Sequence, residues 1–81
     1  SRIPQRNLPG GVSNWPATKA RRVLAALLRR GWTIKRQSGS HRTLSKADNA
    51  DVVFAFHDDA EIGPRMLARI ARHTGLTPDD L

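Results

Sequence analysis

The sequence predicts one α+β domain of order α-β-β-β-α, in which a three-stranded antiparallel sheet carries two helices on one face. Three observations lead there. Two stretches, near residues 19–30 and 64–74, repeat apolar residues at the three- and four-residue spacing of an amphipathic helix. Between them lie three short segments that alternate or are apolar, separated by turns of Gly, Ser, Asn and Asp. The length of 81 residues fits a single domain, and one so small buries only about 60% of the surface its unfolded chain exposes. A thin core of that kind leaves no deep cavity for a substrate or cofactor, so any chemistry takes place on an open face.

Residues 1–17 contain three prolines and two adjacent glycines without periodicity, and read as an extended N-terminal arm ahead of a domain at 18–81. Trp15 either docks this arm or stacks on a base, and docking is favoured. Thr18 is a candidate N-cap for a helix over Lys19–Arg30, with Ala20, Val23, Leu24, Leu27 and Leu28 on one stripe and Gly31 closing it. Its other face bears Arg21, Arg22, Arg29 and Arg30. Trp32–Gln37 alternates, with Trp32 and Ile34 on one side and Thr33, Lys35 and Gln37 on the other. After Ser38-Gly39-Ser40 comes His41–Lys46, where Leu44 is the inward residue; the two-residue strand period then turns His41, Thr43 and Ser45 away from the helices. Asp51–His57 is the third strand, apolar from Val52 to Phe56 and expected to be the best buried. Pro64 opens the second helix at its first position, Leu67, Ile70 and Ala71 form its apolar stripe, and Gly75 ends it. Thr77-Pro78-Asp79-Asp80 starts a last helical turn.

The net charge of +7 matters less than its distribution. Residues 1–46 hold eleven of the 14 Lys/Arg and no Asp or Glu, whereas residues 47–81 hold all 7 acids. So one-sided a charge steers polyanions to the surface, and nucleic acid is the commonest of these. With no cysteine there is no disulfide framework, zinc-thiolate site or thiol nucleophile. No apolar run approaches membrane-spanning length and the first residues lack the apolar core of a signal peptide, so a cytoplasmic location without membrane contact is expected.

Against this background Gln37-Ser38-Gly39-Ser40-His41 stands out, a polar hairpin in a basic region ending in a histidine that the hydrophobic pattern does not require. RNA supplies its own nucleophile, the 2′-hydroxyl beside each phosphodiester. An enzyme need only remove that proton, stabilise charge on phosphorus and return a proton to the leaving oxygen. A histidine titrating near neutrality can serve as base or acid, worth typically about 10²–10⁴-fold in rate. His41 is the candidate for that role, with Lys35, Arg36 or Arg42 to neutralise the transition state. Gln37, Ser38, Gly39, Ser40 and Lys46 complete the candidate RNA-binding set. From the residues alone, the reading of His41 as a phosphate contact without chemistry is favoured over catalysis. His57, beside Asp58 and Asp59, is either a second proton donor or a structural histidine bonded to a helix cap or an aspartate, and the structural reading is favoured. The His-Asp-Asp run lacks a diagnostic metal spacing, and neither metal nor cofactor is expected. Ser40-His41 is no hydrolase pair, since strand neighbours face opposite ways and no Gly-x-Ser-x-Gly elbow exists.

The order of elements resembles the double-stranded-RNA-binding-domain fold. From Thr18 to Leu81 the chain also resembles the HicA toxins, the mRNA interferases of HicA–HicB type II toxin–antitoxin pairs. The resemblance rests on Leu28-Arg29-Arg30-Gly31-Trp32, on Arg36-Gln37-Ser38-Gly39-Ser40-His41, on Phe56-His57 with Glu61-Ile62-Gly63, and on Thr74-Gly75-Leu76-Thr77-Pro78-Asp79-Asp80-Leu81. Two departures are visible: Ala55 stands where the family usually has a proline, and the N-terminal arm is longer. The resemblance implies a metal-independent endoribonuclease that cleaves single-stranded mRNA through one histidine, matched by His41, and a HicB-like antitoxin that covers it. The alternatives are a non-catalytic RNA-binding module and a basic interaction subunit for an acidic partner protein.

Overall fold

The computed structural model describes residues 15–81. Its elements run β1 (Thr18–Lys19), α1 (Ala20–Arg29), β2 (Thr33–Ser38), β3 (His41–Ser45), β4 (Val52–Ala55), β5 (Glu61–Ile62), α2 (Pro64–Thr74) and a final 3₁₀ turn (Pro78–Asp80). The predicted α-β-β-β-α order is present, as an α+β fold whose antiparallel sheet runs β2-β3-β4. A second, two-stranded ribbon pairs β1 with β5.

That ribbon explains how α1 starts. Thr18 is not the cap: Lys19 occupies that position in extended backbone with no side-chain cap bond, and the Thr18 hydroxyl donates to Pro16 O at 2.7 Å. The leading amides of α1 are met by backbone instead, Ala20 N–H donating to Ala60 O at 2.8 Å and Arg21 N–H to Asp58 O at 3.1 Å. A side-chain cap is unnecessary where the chain already places carbonyl groups against the orphan donors. At the other end Gly31, with φ +102°, lets the chain turn directly into the sheet. α1 buries Ala20, Val23, Ala26 and Leu27, so the buried stripe takes in Ala26 and leaves Leu28 41% exposed at its margin.

One hydrophobic cluster joins the inner faces of both helices to the sheet. Val23 and Leu27 of α1 and Leu67 and Ile70 of α2 lie in it with Leu44, Phe54, Trp32, Ile62 and Leu76. Trp32 also donates its indole N–H to Thr74 O at 3.3 Å, which pins the α1–β2 turn to the end of α2. Trp15 belongs to this core at 7% exposure, so a packed residue falls within the stretch read as arm; residues 1–14 lie outside those described.

Two expectations about the strands are corrected. Regular alternation fails in β2, because the register shifts between Ile34 and Arg36. Lys35 is the extra residue of a bulge, and beyond it the faces of the strand are exchanged. The third strand is not the best buried: β4 fully buries only Phe54, with Val52 partly buried against the core and Val53 62% exposed. An apolar sequence cannot bury both sides of a strand when helices cover one face of the sheet.

Asp80 ties the C-terminus down. It accepts from Thr77 N–H at 2.7 Å in a capping box and pairs with Arg30 at 3.0 Å. The Thr77 amide, first, and the Arg30 guanidinium beside it hold the Asp80 carboxyl below its ordinary value of 3.8.

Two expectations follow from this packing. Leu44→Ala should lower stability by about 2–5 kcal/mol through the cavity it leaves, while Val53→Thr should change it by no more than about 0.5 kcal/mol; denaturant unfolding of both variants measures this. A depressed carboxyl stabilises the fold above its unfolded value and loses that contribution as pH falls through the folded one. Hydrogen-exchange protection of the C-terminal turn should therefore be full at neutral pH and decline below about pH 4, and Asp80→Asn should remove the pH dependence.

Candidate nucleic-acid interface

His41 opens β3, the central strand, and pairs with Ser38 on one side and Ala55 on the other. Leu44 is fully buried, so the strand period sends Arg42 inward with it and His41, Thr43 and Ser45 outward. Cross-strand partners share a face, which identifies the rest of the open surface. Ser38 and Ala55 flank His41, while Arg36 and Val53 flank Thr43. His41 is exposed. Among the described residues no hydrogen bond or ion pair occupies its imidazole, and diagonal neighbours such as Arg36 stand about 7–8 Å away, within reach of a long side chain.

The hairpin that presents His41 is tighter than the three-residue turn expected. Ser38 pairs directly with His41, leaving Gly39 and Ser40 as a two-residue loop. Gly39 has φ +60° and Ser40 does not share the positive sign, the pattern of a type II′ turn that follows the right-handed twist of the strands. An added Cβ at Gly39 would meet nothing within 4 Å, so glycine is needed there for its backbone angle and not for space. Gln37 donates to Gly39 O at 3.2 Å and braces the same loop.

The candidate cations separate into distinct places. Arg36 is exposed on the face of His41, and no acid among the described residues pairs with it. The bulge at Lys35 puts it there, since uninterrupted alternation would have turned it to the helix side. Lys35 itself reaches Asp51 at 2.8 Å. Lys46 lies at the far end of β3 over the α1–β2 turn, its Cε 3.4 Å from a Cβ built on Gly31. Arg42 points to the helix side, its side chain only 13% exposed, with one nitrogen 3.2 Å from Asp58 and Nη1 buried without a partner. The structure thus brings Arg36, Ser38 and His41 together on one face and does not bring Arg42 or Lys46 to them.

His57 is exposed just beyond β4. Among the described residues its ring has no bond to a helix cap or an aspartate, so the structural role favoured from sequence has no partner here. It instead helps line a hollow of about 440 Å³ with Gly39, Ser40, Arg42, Phe56, Asp58 and Asp59, adjoining the hairpin tip. Phe54 and Phe56 stack edge to face at 5.0 Å beside it. No group of three or more His, Asp or Glu among the described residues is arranged to hold a metal ion. Thr43 lies on the open surface as the period-two pattern counted from Leu44 expects, whereas its partner Val53 was missed there, hidden in an apolar run.

No helix among the described residues is long and apolar enough to cross a membrane. No curated protein matches the chain. Residues 20–76 match the family described as the HicA toxin of bacterial toxin–antitoxin, a span that holds both helices, the whole three-stranded sheet and His41. The chain therefore belongs to the HicA toxin family, which gives it a toxin's role in a toxin–antitoxin pair and implies an antitoxin as its partner.

Proposed function

We propose that the protein is a metal-independent endoribonuclease that cleaves single-stranded mRNA on the open face of its sheet. The observation that carries the reading is His41 itself: exposed, unengaged, held on the central strand, and diagonal to an arginine without an acid partner among the described residues. The imidazole removes the proton of a 2′-hydroxyl. The freed oxygen attacks the adjacent phosphorus, the bond from phosphorus to the 5′-oxygen breaks, and that oxygen leaves with the proton that the imidazolium returns. Charge gathering on the phosphoryl oxygens is met by the Arg36 guanidinium, a planar donor suited to phosphate. Ser38 and the amides of the Gly39-Ser40 turn supply further donors to the RNA backbone. Lys35 is held by Asp51 and Arg42 supports the sheet from behind through Asp58.

A free ribonuclease would damage its own cell, so the antitoxin is assigned to this face. A HicB-like protein laying acidic or polar groups over His41 and Arg36 would block access and complement the charge at once. A cytoplasmic location follows from mRNA as the substrate.

Purified protein should cut single-stranded RNA in the presence of EDTA. His41→Ala should bind the same RNA and reduce cleavage at least about 100-fold, the lower range for loss of a general acid–base group. Equal degradation by both proteins would remove His41 from the mechanism. Salt-sensitive binding of intact RNA by the native protein would instead support a binding module, and no binding at low salt would leave an acidic protein as the partner.

A further inference from the structure

We propose that the outer face of α2 is a second RNA-backbone site, on the side of the molecule away from the sheet surface. Arg65, Arg69 and Arg72 are all exposed. At 100° per residue they occupy a stripe about 60° wide. Leu67, Ile70 and Thr74, the buried residues of the same helix, lie opposite it, and their core neighbours include Leu44 and Phe54 of the sheet. The stripe therefore points away from His41. Its arginines line a hollow of about 620 Å³ with Met66 and Ala68.

The fold gives no internal reason for these charges. Four of the other basic side chains are paired with Asp51, Asp58, Asp59 and Asp80, but none of the α2 arginines pairs with an acid among the described residues. α2 has no acid in its first turn, where Arg65 opposes the helix dipole. Arg65 and Arg69 are a like-charged pair one turn apart, a spacing that destabilises a helix. Arg72 alone, in the last turn, suits the dipole. Local rules broken without a gain inside the fold mark a surface made for something outside it. Three guanidinium groups over some two turns of helix, with no acid between them, complement a run of phosphates, and the exposed Met66 offers a soft apolar surface to a base. A long RNA gripped at both the sheet and α2 wraps the domain, which raises its residence without touching the chemistry at His41. The inference takes its ligand class from the RNA reading above and is independent of catalysis.

The test uses the full chain and an unstructured RNA methylated at its 2′-oxygens, which carries the phosphates but cannot be cut by 2′-hydroxyl attack. Binding is followed by fluorescence anisotropy across a salt series. Replacing all three arginines by Gln should lower the slope of log affinity against log salt by about 2, at about 0.7 for each phosphate no longer neutralised, and Arg69→Gln alone by about 0.7. The triple Lys variant should keep the native slope, and circular dichroism should show every variant folded, since the replaced side chains are exposed. Native slope and affinity in the Gln variants would overturn the site and leave the stripe to an acidic protein. Reduced slope together with undiminished cleavage by His41→Ala would sink the catalytic reading and spare this one.

Discussion

The burial of Leu44 is the constraint from which the open face follows. It sits in the central strand with its side chain in the only core of the described fold, and the pleat leaves its neighbours no choice of side. Sliding β3 by one residue would drive His41 into the core and Leu44 into water, exchanging both faces at once. Hydrogen-bonded strands on either side hold His41 in place. Such a backbone suits a catalytic group, which must keep its position to a fraction of an ångström. A thin, one-sided core therefore has a functional consequence: it fixes one sheet surface by packing and leaves the other free to meet a polymer.

The charge asymmetry of the chain divides between architecture and recognition. Each ion pair among the described residues joins a basic residue of the first part to an acid of the second: Arg21 with Asp59, Arg30 with Asp80, Lys35 with Asp51 and Arg42 with Asp58. The two exposed pairs, Arg21 with Asp59 and Lys35 with Asp51, contribute about 0–1 kcal/mol each, so their value lies more in orientation than in stability. The Asp80 pair, backed by the Thr77 cap, fastens the last turn to the end of α1. What these pairs leave unmatched is the surface available to a polyanion, above all Arg36 beside His41.

Much of this was legible in the sequence because it follows from local rules. The amphipathic spacing of Val23 and Leu27, the glycines at 31 and 75, and Pro64 at the start of a helix each act over a few residues. The facing of His41 needed only one correct anchor, Leu44. What was not legible depends on distant partners. Thr18 looks like a cap until the 58–60 connector arrives to meet the same amides. The β2 bulge has no glycine to announce it, since the register is settled by pairing with β3. Val53 and Phe54 have similar apolar character, and only the one-sided cover by the helices separates them. Arg42 looked like a surface cation beside His41, yet strand alternation placed it inside, against Asp58. Trp15, by contrast, was expected to dock, and the core takes it in at 7% exposure, as a core this small does with a large apolar side chain within reach.

The chemistry proposed for the open face is the most specific commitment among these features, because attack by a neighbouring 2′-hydroxyl would leave a signature in the products. Mass spectrometry of the fragment ends reads it directly, with a parallel substrate carrying a single 2′-deoxy sugar at the cleavage position. The account predicts a 2′,3′-cyclic phosphate on one fragment, a 5′-hydroxyl on the other, and no cleavage at the deoxy position. Fragments ending in a 5′-phosphate, or undiminished cleavage beside the deoxy sugar, would contradict it.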